Sequence, residues 1–309
     1  MFKYILKRLL ALIPVLIGVS FFIFSLLAMT PGDPANIVLG PDADEASIKI
    51  FRTEQGLDDP FLVRYGRFLY RAVIHGDIGR SYSTNRPVAG EIAHVFPTTV
   101  KLAFLAVLIA VIIGVPFGII SAVKQYSVLD SVTMILAMVG VSMPNFWIGI
   151  LLILFFSVHL GWLPSSGFDT LSAMILPSVT LASNTLAIIT RMTRSSMLEV
   201  IKSDYIRTAR AKGQKESVVI WKHALGNALI PIITIIGIQF GHLLGGAILT
   251  ESVFSVPGLG RLMVEGIKSR DYPIVQGGVL YIAFMFALIN LLVDLLYAWV
   301  DPRIRTRYR

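Results

Sequence analysis

LAFLAVLIAVIIGVPFGIISAV, residues 102–123, runs for 22 positions without a charged side chain. About 20 apolar residues in a helix, each rising 1.5 Å, cross the hydrocarbon of a bilayer, so this stretch reads as a membrane span. Working outward, similar uncharged runs recur at Leu9–Met29, inside Ser131–Phe168, at Thr170–Thr190, inside Ala224–Thr250 and at Tyr272–Val300, the last interrupted only by Asp294. Six spans follow, and with them an all-α integral membrane protein. The composition agrees. Of 309 residues 55% are hydrophobic and 15% charged, and the mean hydropathy is +0.74, whereas a soluble domain carries about 25% charged residues. A soluble globular enzyme and a disordered chain are thereby excluded. No Cys is present, so disulfides and thiolate chemistry are excluded as well.

Two runs need interpretation. The third is too long for one helix; Gly161, Pro164 and Gly167 break it, which predicts a helix to about His159 and then a short loop with Trp162 at the interface. The first follows Lys3, Lys7 and Arg8, as a signal peptide would. Its apolar part exceeds the roughly 7–15 residues of such a segment, and PGDP (Pro31–Pro34) follows instead of a small-residue cleavage site, so it reads as an uncleaved helix.

Charge sets the orientation. With both termini in the cytoplasm, the inside segments hold 16 Lys/Arg, eight of them between Arg191 and Lys222, and the two short outside loops hold none and three. That is the positive-inside pattern. The net charge of +8 therefore belongs to topology and not to nucleic-acid binding. The segment 30–97, with seven Lys/Arg against nine Asp/Glu, is long enough to be translocated regardless of charge. It divides the chain into an N-terminus and first span (1–29), an extracytoplasmic insert (30–97) and a core (98–309) carrying a cytoplasmic loop at 191–227. Within the insert a helix is expected over Asp44–Gln55, a turn over Gly56–Pro60, and an amphipathic stretch over Phe61–Ile74 with Leu62, Tyr65, Leu69 and Val73 on its apolar side. Two readings of the insert stand: a small cap on the outer membrane face, or a surface that docks a partner or shapes the entrance to a path.

Several chemistries have no residues to carry them. Lys never follows Gly, so the phosphate-cradling GxxxxGK[ST] loop is missing. HExxH is absent and the five His (75, 94, 159, 223, 242) are scattered, so no metal site is expected. Ser165-Ser166-Gly167 has no His or carboxylate in its segment to activate a nucleophile. Ion coupling needs buried ionisable groups at membrane depth; Asp294, with Asn290 one turn before it, is the carboxylate read inside a span, and it fits an ion pair with the basic tail. Glu251 reads as sitting at an outer helix end, where a carboxylate costs little. Asn145, Asn184, Gln239, His242 and Asn290 are polar positions suited to helix–helix hydrogen bonds, and Gln239 and His242, within one turn, are candidates to face a translocation path. Gly237, Gly241, Gly245 and Gly246 suit either internal packing or a subunit seam.

The segment Arg191–Asn227, RMTRSSMLEVIKSDYIRTARAKGQKESVVIWKHALGN, carries the functional signal. It reads as a short helix opening near Asp204, a glycine break at Gly213, and a second amphipathic stretch, Ser217–Leu225, entering the fifth span. Ile206, Ala209 and Gly213 share a stripe, with Arg207, Arg210 and Lys212 on the rest. A basic helix on anionic lipid accounts for the charge. The small residues Thr208, Ala209 and Ala211 beside a glycine instead favour a rigid projection docking into another protein.

RTARAKG (Arg207–Gly213), His223-Ala224-Leu225 and Asn227–Pro231 resemble the EAA loop of ABC-transporter permeases, in the branch importing dipeptides, oligopeptides, nickel and glutathione. PGDP, GLDDP (Gly56–Pro60), GDIGRS (Gly76–Ser81), SMPNFW (Ser142–Trp147), RMTRSSMLEV (Arg191–Val200), ESVFSVPGLGR (Glu251–Arg261), RDYP (Arg270–Pro273) and NLLVDLLYAWVDPRIR (Asn290–Arg305) extend the resemblance over essentially the whole chain. The leading acidic position of the general EAA pattern is Arg207 here. The resemblance implies a type I ABC importer permease fold in a bacterial inner membrane. It implies a second homologous permease subunit, two ATPase subunits that bind ATP and magnesium in place of this chain, and an extracytoplasmic binding protein that delivers substrate. It also implies a coupling helix of Asp204, Tyr205, Arg207, Thr208, Ala209, Arg210, Lys212 and Gly213. The expected activity is non-catalytic translocation of di- or oligopeptides. The alternatives are a nickel or glutathione permease and, from another class, a self-sufficient ion-coupled carrier, which would need several buried carboxylates and inverted repeats.

Overall fold

A computed structural model describes residues 2–40 and 42–300. The side chains of Lys3, Lys7 and Asp294 and the basic tail Arg303–Arg309 lie outside what is described.

Among the described residues every regular element is a helix. Five helices are long and apolar enough to cross a membrane: α1 (Phe2–Met29), α5 (Val88–Val123), α8 (Leu171–Ile201), α11 (Leu225–Gly246) and α14 (Tyr272–Val300). A sixth crossing is available if α6 (Val128–Ser142) and the helix beginning with α7 (Asn145–Leu152) and running to His159 are one broken span, bent by 103°. The sequence reading of one helix up to His159 is corrected here. Pro144 has no N–H for the preceding turn and forces Met143 into extended backbone (φ −88°, ψ 131°), which ends α6. The bend is held from the side: Ser183 Oγ donates to Asn145 Oδ1 at 3.4 Å, and Asn184 Nδ2 to the Val141 carbonyl at 3.5 Å.

Small residues set the closest packing. α5 and α8 run parallel, Gly114 against Leu186 and Thr190 and Gly118 against Thr190 and Thr193; a Cβ on Gly118 would lie 2.7 Å from the Thr190 carbonyl oxygen. α11 and α14 run antiparallel, with Gly237 against Val293, Gly241 against Phe286 and Gly245 against Ile282. The glycine stripe of α11 therefore serves packing inside this chain. Burial is divided between a large cluster through α5, α8, α11 and α14 and a smaller one at the end of the bundle where α9 (Asp204–Ala211) lies; half-buried Val115 and Ile236 touch both.

At the opposite end lie the short helices of residues 30–87. Asp33 caps α2 (Pro34–Leu39) by accepting from Ala35 N at 3.0 Å, with Pro34 at the first helical position. α3 (Glu45–Gln55) ends on Gly56 at φ +61°, left-handed backbone that glycine adopts without strain. Arg52 then joins the two motifs, bonding Asp33 at 2.7 Å and Asp58 at 2.7 Å. α4 (Phe61–Tyr70), continued by a wider turn to His75, packs on α1 through Phe21, Phe24, Phe61 and Tyr65, and the Tyr65 hydroxyl lies 2.9 Å from Ser20 Oγ. Of the apolar side expected for this stretch only Tyr65 is buried; Leu62 and Val73 are exposed.

Candidate functional site

α9 is anchored by a buried isoleucine. Ile206 is fully buried among Ile119, Met197, Val219, Ile220 and Ala224, which belong to α5, α8 and the helical turn leading into α11. The opposite face is free within the chain: Asp204, Tyr205, Arg207, Thr208 and Lys212 are exposed. Asp204 in the first turn and Arg210 in the last suit the helix dipole. Arg207 approaches Asp204 only loosely, at 3.8 Å. Two expectations change. Ala209 is half-buried against the chain's own small cluster and not turned outward. Arg210 is committed within the hairpin, since Nη2 donates to Glu216 Oε1 at 2.6 Å and Nε to Oε2 at 3.1 Å, stapling α9 to α10 (Glu216–Val218) across the turn. Gly213 makes that turn at φ +74°, with open space where a Cβ would stand, so its requirement is conformational.

The base of this hairpin is braced by a pair the sequence reading missed. Asp130, at the start of α6, is buried and accepts two bonds from Arg194 of α8, Nε to Oδ1 at 2.7 Å and Nη2 to Oδ2 at 2.8 Å. It also accepts from the Ser121 hydroxyl at the end of α5 and from Tyr126 N at 2.9 Å. One carboxylate thus ties α5, α6 and α8 together beside Met197. A signal was present: Asp130 stands three residues after Ser127, whose hydroxyl accepts from Asp130 N as a helix cap.

At the other end two more buried carboxylates organise backbone. Glu251, in α12 (Ile248–Val253), is fully buried, which corrects its reading as an exposed helix end. It accepts from Thr99 Oγ1 of α5 at 2.7 Å and from Arg261 N at 3.0 Å, while Thr99 Oγ1 accepts from Leu259 N at 2.8 Å. The amides that open α13 (Leu259–Lys268), otherwise without helical partners, are thereby satisfied. A Cβ on Gly258 would overlap the Glu251 carboxylate, which gives the glycines of ESVFSVPGLGR their reason. Burial pushes the Glu251 carboxyl above its usual range. Asp271 of RDYP, also buried, accepts from Ser81 Oγ at 2.5 Å, Tyr82 N at 3.1 Å and Ser83 N at 3.2 Å, docking the insert onto the start of α14. Burial of Tyr82 beside it pushes its phenol up to about 12.

The two candidate path residues part company. Gln239 is buried within the chain and His242 is exposed, its ring 5.4 Å from Phe286. Among the described residues no three His, Cys, Asp or Glu converge to hold a metal.

Two family models match this chain: the binding-protein-dependent transport system inner membrane component over residues 114–306, and the N-terminal part of the same component over residues 1–103. The chain belongs to that family. It is an inner-membrane permease of the dipeptide/oligopeptide ABC importer branch. It is 46% identical to the dipeptide transport system permease protein DppB of Alkalihalophilus pseudofirmus, over 99% of this chain and all of that one. It is 47% identical to the glutathione transport system permease protein GsiC of Escherichia coli K12, over 99% of each. Among solved structures, the permease fold matches a chain of the inward-facing MetNI methionine ABC transporter with a TM-score of 0.60 at 20% identity, over 68% of this chain and 96% of that one. It matches an amino acid ABC transporter solved with histidines with a TM-score of 0.55 at 19% identity, over 68% and 94%.

Proposed function

We propose that this permease crosses the membrane six times with both termini in the cytoplasm, the bent pair α6–α7 being the third crossing, and translocates peptides delivered by an extracytoplasmic binding protein. Eight Lys/Arg lie between Arg191 and Lys222, the segment that carries α9, as a cytoplasmic segment requires. The residues 30–87 then lie outside. Energy arrives from two ATPase subunits that bind ATP and magnesium, with a second homologous permease completing the path. The observation that carries the coupling role is α9 itself. It is a short helix anchored by buried Ile206 with half-buried Ala209 beside it, stapled at its turn by Arg210 and Glu216, and presenting Tyr205, Arg207 and Thr208 outward. Such a projection fits a cleft in a partner protein.

Movement of α9 would reach the spans through its anchor. Ile206 packs where α5, α8 and the turn leading into α11 meet, and Asp130–Arg194 ties α6 to the same block. A displaced α9 therefore carries this end as one body, and the bundle tips between two arrangements as the ATPase pair closes.

Dipeptides and glutathione share peptide backbone, and full-length relatives named for each are almost equally similar to this chain. Peptide-like substrate is the class both support. In proteoliposomes holding the permease with its ATPases, partner permease and binding protein, peptide uptake should require ATP. Uptake that survives ATP depletion and stops when the proton gradient is collapsed would contradict the reading.

A further inference from the structure

Two cavities on the insert side adjoin, sharing lining residues. One, of about 120 Å³, lies between the insert and the start of α14 and is lined by Arg64, Arg71, Arg80, Tyr272 and Gln276. The other, of about 480 Å³, lies between α1, α4 and α14, and its walls are Ile13, Ile17, Val73, Leu280 and Phe284 among other apolar groups. Phe68 and Ile78 line both. Along α14 the lining passes from Tyr272 and Gln276 to Leu280 and Phe284, and along α1 from Phe24 to Ile17 and Ile13. Both helices therefore run from a cationic end into an apolar groove.

We propose that this composite site holds one anionic phospholipid of the leaflet on the insert side, its phosphate at Arg64 and Arg71 and an acyl chain in the groove. The charge is unclaimed. Arg67 is occupied by Asp59 at 2.7 Å and Arg80 donates to the Asn85 carbonyl at 3.0 Å. Arg64 lies over the Phe24 ring at 5.8 Å, and among the described residues neither it nor Arg71 has a carboxylate partner. Asp77 also lines the cleft, so Arg64, Arg71 and Arg80 share a single unpaired carboxylate there and a net positive charge remains. Leu62, Val73 and Ile74, exposed on the amphipathic α4 and its continuation, mark a helix lying in a membrane interface. A second polypeptide in the groove would have to bring acidic groups for Arg64 and Arg71; a phospholipid brings the anion and the apolar chain in one molecule.

The test uses the assembled importer in nanodiscs of equal phosphatidylglycerol and phosphatidylcholine, with retained lipid read by native mass spectrometry. The wild type should keep phosphatidylglycerol selectively. R64Q/R71Q should lose that preference by roughly thirty-fold, since each arginine near an anionic surface is worth about a factor of five, and R64K/R71K should keep it. In a second measurement on Phe68→Trp, a conservative exchange at the junction, the added fluorescence should be quenched more by brominated phosphatidylglycerol than by brominated phosphatidylcholine. Equal quenching, or an unchanged lipid ratio in R64Q/R71Q, would overturn the proposal. Neither readout involves transport, so the lipid site and the importer reading fail independently.

Discussion

At the insert end, Glu251 and Asp271 are buried carboxylates that each accept from backbone amide and from a hydroxyl distant in sequence, and the glycines against Glu251 leave no room for a Cβ. At the α9 end, the helix offered to solvent has one buried side chain and a glycine turn in open space, above a base locked by Asp130 and Arg194. The difference teaches how force can pass through a membrane bundle. The receiving element is rigid because of its anchor and its base, while its outer face remains free to match another protein. The insert end is fixed by many short bonds that a relative movement would have to break together.

The contrast can be broken most severely at the base. Asp130→Ala leaves the half-buried Arg194 without its anion and should cost about 2–3 kcal/mol, seen as a clear fall in folded protein or in thermal midpoint. The double variant D130A/R194A should recover much of that loss. At the insert end, Gly258→Ala forces a Cβ into the Glu251 carboxylate and should cost about 1–3 kcal/mol by the same assay. Gly213→Val sharpens the comparison. It meets no neighbour, so the expense is the left-handed backbone alone, about 1–2 kcal/mol, yet uptake should be abolished with the subunit still in the membrane. Arg207→Ala is the mildest: stability should change by less than about 0.5 kcal/mol, while ATP-driven uptake falls because the side chain faces outward.

What could be read in advance follows from what is periodic or local. Apolar runs announced the spans, Gly56 announced a turn, and Gly213 marked the end of α9, because each depends on residues within a few positions. The 103° bend was half-visible in Ser142-Met143-Pro144, but a run of apolar residues hides a break unless the proline rule is applied inside it. Glu251 and Asp130 were misread or passed over for one reason. A carboxylate at the edge of an apolar run looks solvated, and its partners lie far away in the chain, Thr99 and Arg194 being 152 and 64 residues distant. Arg210 failed for a related reason, since a basic residue near Gly213 looks available until Glu216 folds back onto it. The glycines of α11 left packing and subunit contact equally open, and only the register against Val293, Phe286 and Ile282 decided between them.

The chain contains no cysteine, so Thr208→Cys places a single thiol on the exposed face of α9. With a short photo-activated thiol reagent on that residue in membranes expressing the whole importer, the account predicts a covalent product with an ATPase subunit, in a yield that changes when ATP is bound. Labelling of lipid alone, with no ATPase product in either nucleotide state, would contradict it.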